Sequence, residues 1–444
     1  MYDWANSAYI TTVAVGVLPF IFADVVVGEA GVLFFGRRFS ATSLWAWMIG
    51  FSALVIFLSA PVLGAMADFS ASKKKFLAAF CFTGSGATVL LFFCGSGDVW
   101  KTMILFVIAQ TGFVGANVFY DAFLPHIASK DRLDWVSGKG FAYGYIGGGL
   151  QFALSLGLIA GHSALGISSL LAAQIAILTA GLWWGGFALV TFSILREPGV
   201  AERMPEAYRS MNRIAASFRI GFERTVKTAR KVGRFKHLTL FLIAFMIYND
   251  GIQTVISLAT IYGREELGFS ITNLMLTLLI IQFIAFFGAL LFGKLGEKFT
   301  AKRALIVTLA LWSVVVVYAY FMTRPWEYYI LGCIVGIALG GSQSLSRSLY
   351  GSIIPVDASA EFYGFYSVFS KFSSIWGPFV FGIINAVSGS SRQAIISLIA
   401  FFIVGITMLV FVDVERAREA RDIGLFNGVA PRGISMEHPF QEDA

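Results

Sequence analysis

Charged residues are scarce in this 444-residue chain: Asp, Glu, Lys and Arg make up 13% of it, whereas hydrophobic residues make up 57%. A soluble domain carries roughly 25% charged residues, because its surface needs polar cover. The composition therefore excludes an ordinary soluble fold. It predicts instead that lipid covers a large part of the apolar surface.

Cysteine and histidine are also rare, with three and four copies. Cys81, Cys94 and Cys333 lie in apolar runs and form no CxxC pair, which excludes a disulfide framework or a zinc site of that kind. No HExxH motif and no histidine pair within an apolar run is present, so we expect no metal, no haem and no other cofactor. Residues 288–294 resemble part of a phosphate-binding loop, but Leu295 replaces the required Ser or Thr. We predict no catalytic residue and no enzyme.

Long apolar runs, by contrast, are abundant. A membrane-spanning helix needs ~20 largely apolar residues, and twelve segments of this chain have that length. They lie at residues 4–23, 43–66, 75–95, 101–124, 139–161, 169–195, 236–262, 270–293, 303–322, 326–350, 362–387 and 393–413. The sequence therefore predicts an all-α polytopic membrane protein with twelve transmembrane helices.

The basic residues indicate how these helices are oriented. Of the 33 Lys and Arg, 25 lie in the loops on the side of both termini and six lie in the opposite loops. By the positive-inside rule, both termini face the cytoplasm, and we expect a multi-pass protein of a bacterial inner membrane. Topology accounts for the formal charge of +7, so we expect the lipid bilayer and no nucleic acid as a partner.

The longest loop on the basic side divides the helices into two sets of six. The predicted organisation is an N-terminal half at residues 1–195, a basic linker at 196–235, a C-terminal half at 236–413 and a cytoplasmic tail at 414–444. Within the linker, basic and apolar residues alternate at helical spacing, namely Arg209, Met211, Arg213, Ile214, Ala215, Phe218, Arg219, Phe222 and Arg224. This pattern predicts an amphipathic helix suited to anionic headgroups, although a purely topological linker remains an alternative.

The two halves also share short motifs. Gly64 and Asp68 follow the second apolar segment and precede a basic cluster, and Gly293 and Glu297 do the same after the eighth, 229 positions later. A second match, shifted by 230 positions, joins Tyr120 and Pro125 to Tyr350 and Pro355. Matches in order at nearly constant spacing indicate a duplicated chain. We expect such a chain to work as a monomer.

The Gly-x-x-x-Asp motif before a basic cluster resembles the loop signature of the major facilitator superfamily. That resemblance implies a fold of two pseudo-symmetric six-helix halves around a central cavity. It also implies that Gly64, Asp68, Gly293 and Glu297 form gating loops, which latch one face closed during alternating access. The acid can cap a helix N-terminus or pair with basic residues. In this chain the basic cluster stands five to seven residues after Asp68, further than in the superfamily.

The opening string at residues 2–9, Tyr-Asp-Trp-Ala-Asn-Ser-Ala-Tyr, is more specific. It resembles the first-helix signature of the vacuole-effluxer branch of this superfamily, named for a fungal vacuolar amino-acid exporter linked to autophagy. Members of that branch carry a cytoplasmic lead before the signature, whereas here Met1 adjoins it. The resemblance implies a secondary active transporter of a small solute, with amino acids or similar metabolites as the leading class. A broad-range metabolite or drug exporter, or an exporter of lipid-like molecules, remains an alternative, and a channel is a weaker one.

Polar residues within the apolar segments are candidates for the transport site, since an ionisable group there costs ~2.5–3.5 kcal/mol or more. They form stripes at helical spacing on the first, fourth, seventh and tenth segments, which line the cavity in the resembling superfamily. The candidates are Asp3, Asn6, Gln110, Asn117, Asp121, Asn249, Asp250, Gln253, Gln343 and Arg347, with Lys371 in the eleventh segment.

We predict that Arg347, together with Lys371, holds an anionic group such as a carboxylate. Asp250 or Asp3 would be the counter-ion or the carrier of a co- or counter-transported proton, because burial and a nearby cation shift a carboxyl pKa in opposite directions. Two alternatives remain: Asp3, Asp121 and Lys371 could lie at the interface with their polar ends in water, and Asp250 and Arg347 could form a structural ion pair.

Glycines recur every four residues in two of the segments. These are Gly140, Gly144 and Gly148 in the fifth, and Gly332, Gly336 and Gly340 in the tenth. Small residues at this spacing let helix backbones approach closely, so we expect tight helix pairs at both places. In the eleventh segment, Gly377 and Pro378 predict a kink.

Overall fold

The computed structural model describes residues 1–422, apart from residues 30, 35, 199, 200, 203, 209, 233, 234, 266 and 267. Twelve helices in the described part are long and apolar enough to cross a membrane, and they coincide with the twelve predicted segments. The predicted tail is described only as far as Asp422, as the helix Val414–Asp422. Arg209 of the predicted linker helix lies outside the described residues.

The helices form two consecutive sets of six, numbered here as spans 1 to 12. Spans 1 to 6 are Tyr2–Val27, Ala41–Ser70, Lys73–Phe93, Val99–Ile127, Leu133–Ala160 and Ser169–Ile194. Spans 7 to 12 are Lys236–Glu265, Ile271–Lys298, Ala301–Phe321, Pro325–Ile353, Val356–Ser388 and Ser391–Phe411. Between the two sets lies the linker helix, Arg213–Val232.

A short hairpin connects spans 1 and 2. Its strands β1 (Val32–Phe34) and β2 (Arg37–Phe39) pair antiparallel, with Val32 opposite Phe39. The hairpin and the linker helix mark opposite ends of the bundle, because span 2 begins directly after the hairpin and packs on the linker helix near its other end. We call these the hairpin end and the linker end.

Hydroxyl side chains begin several of the spans. Ser40, Ser168, Ser270, Thr300 and Ser390 each accept a hydrogen bond from the backbone N–H three residues later. Such caps satisfy N–H groups that have no partner inside the helix. The helix starts are therefore encoded locally, just outside the apolar runs.

Span 1 departs from regular α-helix. Tyr9–Val17 and Phe22–Val27 are π-helical, with the α-helical turn Leu18–Ile21 between them. π-Helical turns are rare and occur mostly where a helix has a functional role. The first of them lies directly after the Tyr2–Ala8 helix, which carries Asp3 and Asn6.

The predicted tight helix pairs are confirmed. A Cβ atom on Gly144 would lie 2.8 Å from Ser7 Oγ, so the fifth-span glycines bring span 5 against span 1. A Cβ on Gly340 would lie 2.6 Å from the backbone nitrogen of Ala289, which places span 10 directly against span 8. Each glycine stripe thus sets the distance between two helices.

The two six-helix halves meet along two seams at the linker end. In one seam, span 2 contacts span 11, where a Cβ on Gly64 would lie 2.8 Å from Glu361 Cα. In the other, span 5 contacts span 8, where a Cβ on Gly138 would lie 3.1 Å from Gly293 Cα. Spans 2 and 8, and spans 5 and 11, occupy equivalent places in the two halves, so the seams are related by the pseudo-symmetry of the fold.

The predicted linker helix is present, and its two sides have different surroundings. Ala216 and Ile220 are buried, and a Cβ on Gly221 would lie 2.7 Å from Met66 Cγ, so this side packs on span 2. Phe218 and Phe222 are 54% and 53% exposed. Their contact with lipid headgroups remains a prediction.

The glycine contacts predict different effects for two identical substitutions. Gly340→Ala should lower the unfolding temperature, because the new methyl group meets backbone atoms of span 8 and overpacking costs about 1–3 kcal/mol. Gly86→Ala in span 3 is the matched control, since no atom lies within 4 Å of its added Cβ, and it should be neutral or slightly stabilising. Thermal unfolding of the detergent-purified variants tests this, and equal unfolding temperatures would contradict it.

Candidate functional site

A cavity of about 500 Å³ lies between the two halves, within the usual size range of ligand sites. Spans 1, 4 and 5 of the first half line it, as do spans 7 to 12 of the second. Nine predicted site residues lie on its wall: Asp3, Asn6, Asn117, Asp121, Asn249, Gln253, Gln343, Arg347 and Lys371. Gln110 and Asp250 are not among the lining residues.

An ion cluster around Arg347 lies on the part of the wall nearest the linker end. The Nη1 atom of Arg347 lies 3.0 Å from Asp121 Oδ1 and 3.5 Å from Asp3 Oδ2. Ser137 accepts two further hydrogen bonds from the guanidinium: Nε donates to its Oγ at 3.0 Å and Nη2 to its backbone carbonyl at 2.9 Å. Arg347 belongs to span 10, whereas its partners belong to spans 1, 4 and 5. The cluster therefore ties the two halves together.

Further side chains fix the shape of the ion cluster. Tyr120 donates its hydroxyl hydrogen to Asp3 Oδ2 at 2.7 Å, and the guanidinium lies 4.1 Å from the ring centre of Phe141, a favourable cation–π distance. Gly140 leaves room for the cluster, because a Cβ there would lie 2.8 Å from Arg347 Nη2.

Sequence reasoning did not identify Tyr120, Ser137, Phe141 or Tyr145 as members of this site. A signal was nevertheless present, because Ser137, Phe141 and Tyr145 follow one another at four-residue spacing on span 5. Aromatic residues are so abundant in this chain that the stripe does not stand out in the sequence.

Other polar lining residues pair with one another. Asn6 donates to Asn117 at 2.6 Å within the first half, and Tyr145 donates to Gln343 at 2.7 Å across the two halves. Gln110 accepts a hydrogen bond from Tyr9 at 3.0 Å and so holds span 4 against span 1. Gln110 is thus a packing contact behind the cavity wall.

Asp250 has a different set of partners from those predicted. The helix of span 11 ends at Phe372 and resumes at Trp376, so the predicted kink is present just before Gly377. The Asp250 carboxylate accepts hydrogen bonds from the backbone N–H groups of Trp376 at 3.0 Å and Gly377 at 2.9 Å. A carboxylate is stabilised at a helix N-terminus by free N–H groups and by the helix dipole. Asp250 and Asp3 are the two acids predicted as the counter-ion or proton carrier beside Arg347. Asp3 contacts Arg347, whereas Asp250 caps the second helix of span 11.

The gating motif of the first half joins the two halves at the linker end. Asp68 accepts hydrogen bonds from the backbone N–H groups of Ala360 at 3.3 Å and Glu361 at 2.9 Å, in the first turn of the span 11 helix. Its carboxylate also pairs with Lys73 at 2.9 Å. Both contacts expected of this acid, the helix cap and the basic partner, are therefore made at once.

The second gating motif has an equivalent but looser contact. Glu297 lies 3.7 Å from Arg132, the residue that precedes the first turn of span 5. Gly293 packs on the same region, with an added Cβ 3.2 Å from the carbonyl of Asp134. Each motif thus meets the start of a helix in the opposite half.

The opening string of residues 2–9 serves two purposes. Tyr2 is fully buried and accepts a hydrogen bond from Trp184 at 3.4 Å, and Trp4 stacks on Trp183 with ring centres 5.7 Å apart. Asp3 and Asn6, on another side of the same helix, line the cavity. The aromatic residues of the string therefore pack span 1 against its neighbours, while its polar residues face the cavity.

Neutralising the two cationic residues of the cavity should affect the stability of the protein differently. Arg347→Gln leaves Asp3 and Asp121 without their cation, and removing one member of a buried ion pair costs about 3–5 kcal/mol. Lys371→Gln is the control, because Lys371 makes no ion pair or hydrogen bond with any residue that the structure describes. Only the Arg347 variant should unfold at a clearly lower temperature, and adding Asp3→Asn and Asp121→Asn should restore part of the loss. Equal unfolding temperatures for the two single variants would contradict this arrangement.

Comparisons with known proteins agree with this architecture. The family model described as "Vacuole effluxer Atg22 like" matches residues 2–134 and 130–422. The chain is 34% identical over 422 residues to the uncharacterized MFS-type transporter YxiO of Bacillus subtilis, covering 94% of this chain and 95% of that protein. It is 26% identical over 475 residues to Autophagy-related protein 22 of Coccidioides immitis, covering 90% and 77%.

Solved structures show the same fold. The outward conformation of the major facilitator FucP, a fucose:proton symporter of E. coli, superposes with a TM-score of 0.66 at 12% identity, covering 93% of this chain and 96% of that one. The proton:xylose symporter XylE gives 0.65 at 15% identity, covering 93% of each chain. The family model and the relative from Bacillus subtilis confirm the prediction of a transporter rather than an enzyme. The chain belongs to the Atg22-like vacuole effluxer family of major facilitator transporters.

Proposed function

We propose that this transporter moves amino acids or similar small zwitterionic metabolites across the membrane by alternating access. The observation that supports this most directly is the cavity between the halves, whose wall carries the carboxylates of Asp3 and Asp121 and the ammonium group of Lys371. Charges of both signs in one membrane cavity suit a solute that also carries both. Buried charges inside a membrane are costly and are retained mainly on transport pathways.

The remainder of the cavity wall favours a solute with an apolar part. Ile10, Phe113, Ile252 and Val335 all line the cavity, and apolar walls with a few placed polar groups are typical of sites for small molecules. Amino acids with aliphatic or aromatic side chains should therefore bind better than glycine.

Transport also requires the linker end to open, and polar contacts close it together with the two packed seams. The Arg347 cluster and the Asp68 cap both join opposite halves, so both must break as the halves rock apart. A proton on Asp3 or Asp121 would weaken the attraction to Arg347 and lower the cost of that step. We therefore include a proton as the co- or counter-transported ion.

The names of the relatives support the same class of activity, since they describe a vacuole effluxer and an MFS-type transporter. The uneven distribution of Lys and Arg supports a linker end in the cytoplasm, and the similarity to a protein of Bacillus subtilis supports a bacterial cell membrane. In that orientation, the cluster closes the cytoplasmic side of the cavity.

Counterflow in proteoliposomes tests the proposal. Vesicles loaded with an unlabelled amino acid should transiently accumulate the labelled one, with leucine and phenylalanine preferred over glycine, because a carrier exchanges its solute across the membrane. Arg347→Ala should lower the exchange rate at least about tenfold, since loss of a buried charge partner costs several kcal/mol.

The outcomes separate the alternatives. An Arg347→Ala variant that inserts and exchanges at the wild-type rate would contradict the role given to the ion cluster. Labelled solute that equilibrates without transient accumulation would indicate a channel. Exchange of lipophilic organic ions, with no exchange of amino acids, would favour the broad-range exporter instead.

A further inference from the structure

Lys371 stands apart from the other charged groups of the cavity. Its side chain lines the cavity wall, and no ion pair or hydrogen bond joins it to any of the residues that the structure describes. It lies at the end of the first helix of span 11, Ser359–Phe372, immediately before the break in that span.

Lys371 lies deep within the membrane-spanning part of the protein, where an unpaired charge is costly. It lies twelve residues beyond Ser359, which begins that helix at the linker end, and this separation corresponds to about 18 Å along the helix axis. The hydrocarbon core of a bilayer is ~30 Å thick. The ammonium group is therefore far from both headgroup regions, where only the cavity can hydrate it or supply a partner.

Arg347, the other cation of the cavity, already contacts two carboxylates and donates to Ser137 as well. Its Nη1 atom contacts the carboxylates of Asp3 and Asp121, and its Nε and Nη2 atoms both donate to Ser137. To pair with Nη1, an incoming anion would have to displace a carboxylate. Lys371 offers a charge that needs no such displacement.

Hydrogen-bonding groups of the second half lie on the same wall. Ser367, one helical turn before Lys371, and Gln253 of span 7 both line the cavity, and neither side chain has a hydrogen-bond partner among the described residues. Among the described residues, Asp250 forms no ion pair with Lys371, and its carboxylate instead accepts hydrogen bonds from the backbone N–H groups of Trp376 and Gly377.

We propose that Lys371 binds the carboxylate of the transported solute, and that Arg347 serves as the bridge between the halves. This assignment rests on the proposed transport of amino acids and names the residue that recognises their acidic group. Ser367 and Gln253 supply additional hydrogen bonds to the same carboxylate. The solute thereby provides a counter-charge for Lys371.

The test compares L-leucine with L-leucinamide, which has the same side chain but no carboxylate. Counterflow of labelled leucine gives KM, and inhibition by leucinamide gives the affinity of the amide. Lys371→Gln should raise the KM for leucine at least about tenfold, because it removes one partner of a desolvated charge pair, and should leave the inhibition constant of leucinamide unchanged. Lys371→Arg should stay within about threefold of the wild type, since it keeps the charge. Lys101→Gln is a matched control, being an exposed lysine at the hairpin end.

A structural role for Lys371 would produce a different pattern. If Lys371→Gln changed leucine and leucinamide by the same factor, or changed neither, the assignment would be overturned. A measurement on the wild-type protein avoids dependence on variant folding: leucine should raise its unfolding temperature more than leucinamide does, and equal stabilisation would also overturn the assignment. If the wild type exchanged no amino acid at all, the proposed function itself would fail, and the role of Lys371 with it.

Discussion

The interaction on which this structure depends is the contact between one buried guanidinium and two carboxylates. Arg347 of the second half lies against Asp3 and Asp121 of the first, among packed membrane-spanning helices at the cavity wall. Each of these charges would be costly alone, so the halves are held together as long as all three remain charged and in place. An attraction of this kind is strong when formed, yet a single proton or a small separation weakens it. Those are the properties that a gate between two rocking halves requires.

The rest of the fold positions that cluster. Gly140 and Gly144 let span 5 approach span 1 closely enough for Asp3 to reach the guanidinium, and the buried Tyr2 fixes how span 1 is rotated. Nearer the linker end, Asp68 caps the first helix of span 11. Asp250 caps the second helix of the same span, so one element of the second half is held at two points by carboxylates. Span 11 also carries Lys371, which lines the cavity, so the solute binding proposed for Lys371 would act on the same span.

Much of this could be predicted from the sequence, because the physics involved is local or periodic. Apolar run length identified the spans, and the duplicated motifs identified two halves. Helical spacing placed Asp3, Asp121 and Arg347 on polar faces, but spacing does not reveal which helices face one another. Asp250 illustrates this limit: its polar stripe resembles that of Asn249 and Gln253, yet its carboxylate turns to a helix start that only the tertiary fold brings near. The sequence could not reveal either that Lys371 has no partner within the described part of the chain, since this depends on how all the helices pack.

The central claim is that the Arg347 cluster keeps the linker end closed. The most direct test is a spin-label distance measurement across that end, between Asp131→Cys and Phe299→Cys, two exposed positions in opposite halves, in a background lacking Cys81, Cys94 and Cys333. With Arg347 present, the distance distribution should be dominated by a single short distance, and Arg347→Gln should add a population several ångströms longer. A distribution that Arg347→Gln leaves unchanged, in a correctly inserted variant, would contradict the account.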